Sequence, residues 1–571
     1  MKNRKALSLC FAFAFPAASG FRLTPRGTSF DWTRINSTKA LVWTQCYDTF
    51  ECARLTVPLQ YSNPGTGEAQ IALVMSPSKF SSEDPNYLGS ILFNPGGPGE
   101  SGVEYVLQYE TYFRNIIGPQ YDLVGFDPRG AGDTTPFLSV FKTPQEALEI
   151  YSTFPLDAEG SVSSLGRAYT QSQIVADLAV DRAKLVAESV GTPAVATDML
   201  QIARALGQEK VNYWGISYGS VIGATFAAMF PDHVGHFVID GVTDSHQYYY
   251  GPGTQDMVSL LDTDAALTSV YDACVTAGPS LCAIWENNTD LVRARVERAL
   301  DVMRVTPLPI YNHTDPSTIT FGVLDYATVY QALFHTVYFP YSQGASAVEA
   351  FVALEHGDGA ALYAGSFASS LRITDDSCAT SSQPFVAGFI DVTSPIVCGD
   401  SVVGRRSSFA QYQKDYKATQ ALSPFAAAWH TDFFGPCATW PLQGKDHLNG
   451  SFETSTSTPI LFISNTLDPI TPIQGGRSMS TGFRNSVLLE QNSTGHTSLS
   501  GFSTCTARAI RAYFRHGILP ASGTVCQPDT QIFDAPNNSS GFGGVTISFS
   551  ESDEADSRVV NKSVPEHIAR E

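Results

Sequence analysis

The hydrophobic pattern along the chain changes character three times. Residues 55–61 and 70–75 are strand-like apolar runs separated by Asn63-Pro64-Gly65-Thr66-Gly67, a dense turn signal, and together they predict an antiparallel hairpin. Residues 90–93, 121–126, 210–214 and 236–242 are short β-favouring runs, mostly apolar, as expected of strands covered on both faces. Within residues 197–206, Met199, Ile202, Ala203 and Leu206 fall at i, i+3, i+4 and i+7, the stripe of an amphipathic helix, and Gly207 stops it. From about 244 to 440 the strand–helix rhythm is lost. Helical stretches at 291–303 and 329–336 and the aromatic cluster Tyr248, Tyr249 and Tyr250 predict a large helical insertion there, lying over the rest as a lid. The rhythm returns at 459–464 and 486–490, and a helix over 506–516 follows.

Eight strands with helices interleaved from the third onward imply an α/β class fold. Its core is an eight-stranded, mostly parallel, doubly wound sheet whose site lies at the carboxyl edge of the strands. The division that follows is a leader at 1–20, a first core segment at 21–243, the lid at 244–440, a second core segment at 441–530 and a polar, acidic tail at 531–571.

Charge and cysteine usage narrow the setting. A net charge of −20 over 571 residues argues against nucleic acid and against an anionic membrane surface as partners. Lys2, Arg4 and Lys5 precede a short apolar run at 6–15 and the small residues Ala18-Ser19-Gly20, the pattern of a cleaved secretory signal that would carry Cys10 away with it. That run is far shorter than the ~20 residues a membrane span needs, and no other stretch is apolar enough. The remaining cysteines predict disulfides Cys46–Cys52, Cys274–Cys282 and Cys505–Cys526. Among Cys378, Cys398 and Cys437 one pair is expected, Cys398–Cys437, with one thiol left over. No spacing suits zinc, and no metal or cofactor is implied. Asn36, Asn287, Asn312, Asn449, Asn492, Asn537, Asn538 and Asn561 each open a glycosylation sequon, which fits a secreted, extracellular glycoprotein. Oligomeric state is not legible.

The chemistry is concentrated in loops that follow strands. Gly215-Ile216-Ser217-Tyr218-Gly219 matches G-x-S-x-G between a predicted strand and a small, apolar helix, the context of a nucleophile elbow. Asn94 to Gly102 contains four glycines in nine residues at the end of a buried strand. No Gly-Lys-[Ser/Thr] follows, so a phosphate-binding loop fails. An oxyanion hole fits, with backbone donors at Gly97 and Tyr218. Asp127 and Arg129, after the next strand, fit loop-bracing roles. A serine nucleophile needs a base and a carboxylate that orients it, in the chain order Ser, acid, His. Asp468 follows the seventh predicted strand. His496 alone among eleven histidines follows the eighth at loop distance. In this assignment Ser217 attacks a carbonyl, His496 takes its proton and Asp468 holds the imidazole.

Asn-Pro-Gly-Gly-Pro-Gly at 94–99, Asp-Pro-Arg-Gly at 127–130, Gly-Ile-Ser-Tyr-Gly at 215–219, Asp-Pro-Ile-Thr-Pro at 468–472, Gly495-His496 and the segment 513–520 with Cys526 resemble the secreted tripeptidyl aminopeptidases. These are relatives of proline iminopeptidase in the α/β-hydrolase superfamily. The resemblance covers roughly 50–530, with a loose match in the lid. It implies cofactor-free cleavage of short peptides near a free N-terminus, with esterase activity in some members. Glu100 departs from the family loop, where a small residue usually stands. A carboxylate aimed at the oxyanion would oppose catalysis, so Glu100 is expected to point away from it or to hold the substrate's α-ammonium. Three functions follow: a secreted exopeptidase, an esterase or amidase for a small metabolite, and a non-catalytic binding protein. The intact Ser217, Asp468 and His496 set argues against the third. The partner expected is a short peptide or a small ester or amide.

Overall fold

The structure is a computed structural model. It describes residues 30–155, 157–251, 258–312, 320–366, 389–402, 406–427 and 435–534. The expected leader, Cys10, Cys378, Asn537, Asn538, Asn561 and the tail from 535 onward lie outside the described residues.

The core is a ten-stranded sheet in the order β1-β2-β3-β5-β4-β6-β7-β10-β11-β12. Its strands are β1 Thr44–Cys46, β2 Phe50–Pro58, β3 Glu68–Ser76, β4 Ser90–Asn94, β5 Asp122–Phe126, β6 Val211–Ile216, β7 Val234–Asp240, β10 Leu461–Leu467, β11 Val487–Thr494 and β12 Val525–Cys526. The first three strands and the β3–β5 contact are antiparallel, and every pairing from β5 through β4 to β12 is parallel. The eight expected strands are therefore joined by one more at each edge. Three and two residues are too short to show a period, and each added strand is anchored by a disulfide instead: Cys46–Cys52 staples β1 to β2, and Cys505–Cys526 ties β12 to a helix. Two boundaries also move. β2 begins at Phe50 rather than 55, because Cys52 is already inside the sheet, and β11 runs on to Thr494, close to His496.

Helices cover both faces. One apolar cluster gathers Leu73, Val124, Met199, Tyr213 and Phe226 on one side, and another gathers Phe93, Phe113, Trp214, Ile463 and Phe514 on the other. The helices that matter for the site are α1 Gly102–Ile117, α2 Thr192–Ala205 and α3 Tyr218–Met229. Ser101 caps α1 by accepting from Glu104 N–H, and Pro193 sits in the first turn of α2, where its missing N–H costs nothing.

The lid departs from expectation in two ways. It is not wholly helical: β8 Leu308–Asn312 and β9 Thr320–Leu324 form an antiparallel hairpin. Ile310 and Leu324 face inward, but Pro309, Tyr311, Phe321 and Val323 face solvent. With both faces apolar, the hairpin shows no period-two signal. The insertion is also not one unit. Residues 263–363 build a core of their own from Leu267, Val296, Phe334 and Phe351, joined by Ile532 and Phe533, which were expected in a solvated tail. Val392, Ile396, Cys398 and Cys437 pack instead on the hydrolase core. The disulfides Cys274–Cys282 and Cys398–Cys437 lie one in each part. Asn36, Asn287, Asn449 and Asn492 are exposed.

Candidate active site

Ser217 sits between β6 and α3 with φ +59° and ψ −124°, a conformation that costs a non-glycine residue roughly 1–3 kcal/mol. The turn is closed by glycine at both flanks. A methyl group on Gly215 would lie 2.3 Å from Gly219 O, and one on Gly219 would lie 2.7 Å from Asn94 O. Ser217 is thereby lifted onto the N-terminus of α3, at the carboxyl edge of the sheet.

The glycine-rich loop after β4 lies directly against this turn. A methyl group on Gly96 would be 2.9 Å from Ser217 Cβ and 3.0 Å from Tyr218 N. Gly96 N–H donates to Asn94 Oδ1 at 3.0 Å, which folds the loop back on its strand. Neither the Gly97 N–H nor the Tyr218 N–H donates to any described residue. Two uncommitted N–H groups beside a serine, one at a helix N-terminus, suit a developing oxyanion. The loop is braced from beneath by Asp127, which accepts from Ser101 Oγ at 2.5 Å, Val103 N at 3.0 Å and Asp133 N at 2.7 Å. Arg129 is buried in an ion pair with Asp198 at 2.6 Å and donates to Pro58 O. Both residues hold loops.

Asp468 and His496 come together from the ends of β10 and β11. His496 Nδ1 lies 3.0 Å from Asp468 Oδ1 and 3.1 Å from Oδ2. Asp468 is fully buried and also accepts from Ile470 N, Thr471 N, Thr471 Oγ1 and Thr497 N at 2.7–3.0 Å. Burial alone would raise its carboxyl. The His496 charge and hydrogen bond, with the Thr497 and Thr471 N–H groups, outweigh it and hold the carboxyl below its usual value. An ionised acid on Nδ1 fixes the imidazole tautomer and leaves Nε2 for the serine. Ser217 Oγ makes no hydrogen bond to His496 in this conformation. Such contacts are often long until substrate binds.

Two residues to which the sequence reading gave no role complete the arrangement. Asp240, at the end of β7, joins the elbow to the histidine loop. Its main-chain oxygen accepts from Ser217 N at 2.9 Å, and its carboxylate accepts from Ser498 N at 2.9 Å and Ser498 Oγ at 2.5 Å. Burial pushes its carboxyl up to about 6. The available signal was an aspartate closing an otherwise apolar strand. Thr471 Oγ1, 2.7 Å from Asp468 and 3.2 Å from His496 Nδ1, is the second, and turn chemistry after Asp468-Pro469 concealed it.

The lid reaches the same atoms. Its helix α4, Tyr326–Tyr338, ends on the histidine: His496 N–H donates to Tyr338 O at 2.8 Å and the two rings stand 4.7 Å apart. Gly495 is required by that contact, since a methyl group on it would lie 2.6 Å from Pro340 Cδ and 2.9 Å from Tyr338 O. A second lid helix, α5 Phe389–Asp400, touches the oxyanion loop through Thr393 Oγ1, which donates to Pro98 O at 2.8 Å. Asp400 accepts from Thr192 N at the start of α2, and Thr192 Oγ1 in turn meets the Tyr218 hydroxyl. Glu100, directly after the oxyanion loop, is half-buried, and His496 and Glu104 lie within electrostatic reach of it. Among the described residues no group of three or more His, Cys, Asp or Glu is placed to hold a metal ion, and no helix is long and apolar enough to cross a membrane.

A family model described as alpha/beta hydrolase fold matches residues 89–278, which hold Gly97 and Ser217, and one described as TAP-like protein matches 421–526, which hold Asp468 and His496. The chain is 25% identical over 499 residues to a tripeptidyl aminopeptidase of Streptomyces lividans, covering 84% of each chain. It is 25% identical over 489 residues to the serine protease Hip1 of Mycobacterium tuberculosis, covering 83% of this chain and 87% of that one. To a carboxylesterase B of the same organism it is 26% identical over 490 residues, covering 84% and 87%. The chain is a serine hydrolase of the α/β-hydrolase fold, with a TAP-like segment at residues 421–526.

Proposed function

We propose that the protein is a secreted serine peptidase that releases short peptides, two or three residues long, from free N-termini. The observation that carries the reading is the convergence of a serine at φ +59° with an Asp468–His496 pair at 3.0 Å. Ser217 Oγ attacks the scissile carbonyl while His496 Nε2 takes its proton. Asp468 stabilises the imidazolium, and the N–H groups of Gly97 and Tyr218 hold the oxyanion. His496 then protonates the leaving amine, and water, activated by the same imidazole, cleaves the acyl-enzyme. The peptidase names of two relatives support a peptide substrate. Four disulfides and the exposed sequons support passage through an oxidising secretory route.

The carboxylesterase name of the third relative favours a second reading, hydrolysis of a small ester by the same residues. A panel of free-amine tripeptide anilides, N-blocked peptides and short acyl esters separates the two, with Ser217→Ala as control. The peptidase reading expects free-amine peptides to be turned over fastest. Turnover of esters alone would replace it with the second reading, and full activity in Ser217→Ala would remove the site assignment.

A further inference from the structure

Glu100 is the group the catalytic assignment leaves unused. It is half-buried at the end of the oxyanion loop, yet it accepts no hydrogen bond and forms no ion pair with any described residue. Burial pushes its carboxyl up to about 7, with the His496 charge opposing and Glu104 adding to the rise. A partly desolvated carboxylate without a partner is costly unless something else supplies the cation. Its surroundings are aromatic. Tyr105 and Tyr109 stand one turn apart on α1 with ring centroids 5.1 Å apart, and both feel the Glu100 charge, as does Tyr338 of the lid. A lone carboxylate with tyrosine rings from two elements within its electrostatic reach suits an ammonium group. The carboxylate supplies the counter-charge and the hydrogen-bond acceptor, and the rings add cation–π attraction.

The geometry points to Glu100, with Tyr105, Tyr109 and Tyr338, as the subsite that binds the free α-ammonium of a peptide substrate beside the catalytic histidine. This deepens the peptidase reading and rests on it. Two lid contacts lie close to this position, Tyr338 on His496 and Thr393 on Pro98 two residues before Glu100, and they place bulk beside it that favours a chain end over a chain passing through. Each substrate residue spans at most ~3.6 Å, so a fixed ammonium anchor sets how many residues precede the cleaved bond.

The test compares one tripeptide p-nitroanilide with its N-acetyl form, in the wild type and in Glu100→Gln. The reading is the ratio of the two kcat/KM values, in which any general loss of activity cancels. The wild type is expected to favour the free amine. Glu100→Gln should reduce that ratio by ~10–100-fold, mainly through KM, the scale of one charge-assisted hydrogen bond. Glu100→Lys should invert the preference. An unchanged ratio in both variants overturns the proposal, as does a wild type that favours N-acetyl peptides with internal Lys or Arg over the free amine. If no peptide is cleaved, the same peptides are tested as inhibitors of p-nitrophenyl acetate hydrolysis. Tighter inhibition by the free amine than by its N-acetyl form then keeps the subsite while the peptidase reading falls. Equal inhibition overturns the subsite.

Discussion

Asp240 holds the Ser217 turn and the His496 loop with one residue, since its carbonyl fixes the Ser217 N–H and its carboxylate fixes Ser498 two positions after the histidine. In Asp240→Asn one carboxylate oxygen becomes an amide NH₂, which cannot accept from Ser498. The histidine loop loses one of the two hydrogen bonds it makes to the Asp240 carboxylate, and kcat/KM should fall ~10-fold at pH 8, the effect of about one lost hydrogen bond to a charged group. Burial pushes Asp240 up to about 6, so at pH 5 the wild-type carboxyl is already neutral. The gap between wild type and variant should therefore narrow at pH 5, and a gap of equal size at both values would assign Asp240 a role in packing alone. Glu100 gives a second pH signature. The preference for free-amine over N-acetyl substrate should rise as Glu100 ionises through about 7, against the opposing His496 charge and the reinforcing Glu104 charge. It should fall again as the peptide amine loses its proton near ~8. In Glu100→Gln the rising limb should be absent.

Gly495 is where an element rather than a residue is at stake, because it lets the end of α4 and Pro340 pack on the histidine loop. Gly495→Ala adds a methyl group 2.6 Å from Pro340 Cδ and 2.8 Å from Ser500 Cβ at φ +103°, where an L side chain is strained. The lid must lift off His496 or the loop must move. Turnover should drop ~100-fold or more, with a stability loss of ~1–3 kcal/mol measurable by chemical unfolding. The same element explains what the sequence did and did not disclose. The candidate residues Ser217, Gly97, Asp468 and His496 could be picked out and are brought to one sheet edge because each follows a buried apolar strand with a distinctive turn. The α4 contact was not, because the Tyr338 carbonyl and the space over Gly495 are properties of packing between segments more than 150 residues apart. Asp240 was hidden for a related reason: its carboxylate acts across the sheet edge on a loop 258 positions later. Strands β1 and β12 were hidden by length, and their disulfides mattered more than any period. Replacing Cys505 and Cys526 by serine opens a loop of sequence separation 21 and should cost about 3 kcal/mol, with faster hydrogen exchange at Glu490, whose N–H donates to Thr524 O beside β12.

At the scale of the whole molecule, the buried acids decide how stability follows pH. Burial raises Glu100 to about 7, Asp133 to about 7 with help from Asp127, and Asp240 to about 6, from unfolded values of 4.5, 3.8 and 3.8. Between the unfolded and folded values each group binds more proton in the native state, so each loses stability as pH rises through roughly 4–7. Asp468 has the opposite sign. Its lowered carboxyl contributes stability that is complete above the unfolded value and is lost only on stronger acidification. The protein should accordingly be more stable at pH 5.5 than at pH 7.5, by on the order of several kcal/mol once partial solvent screening is allowed for. For a chain of this length that corresponds to a few degrees in the thermal midpoint, at roughly 1 °C per kcal/mol. The net charge of −20 pushes the same way, since acidification relieves self-repulsion. Salt separates the causes. Repulsion among exposed charges is screened at ~0.5 M, where the Debye length falls to a few Å, whereas desolvation of half-buried and buried carboxyls is not. The pH slope of the thermal midpoint should therefore survive high salt and become shallower in the Glu100→Gln, Asp240→Asn double variant, with Asp133 supplying what remains. A slope that disappears with salt in the wild type would place the effect on the surface charge instead of on the carboxylates that line the catalytic edge.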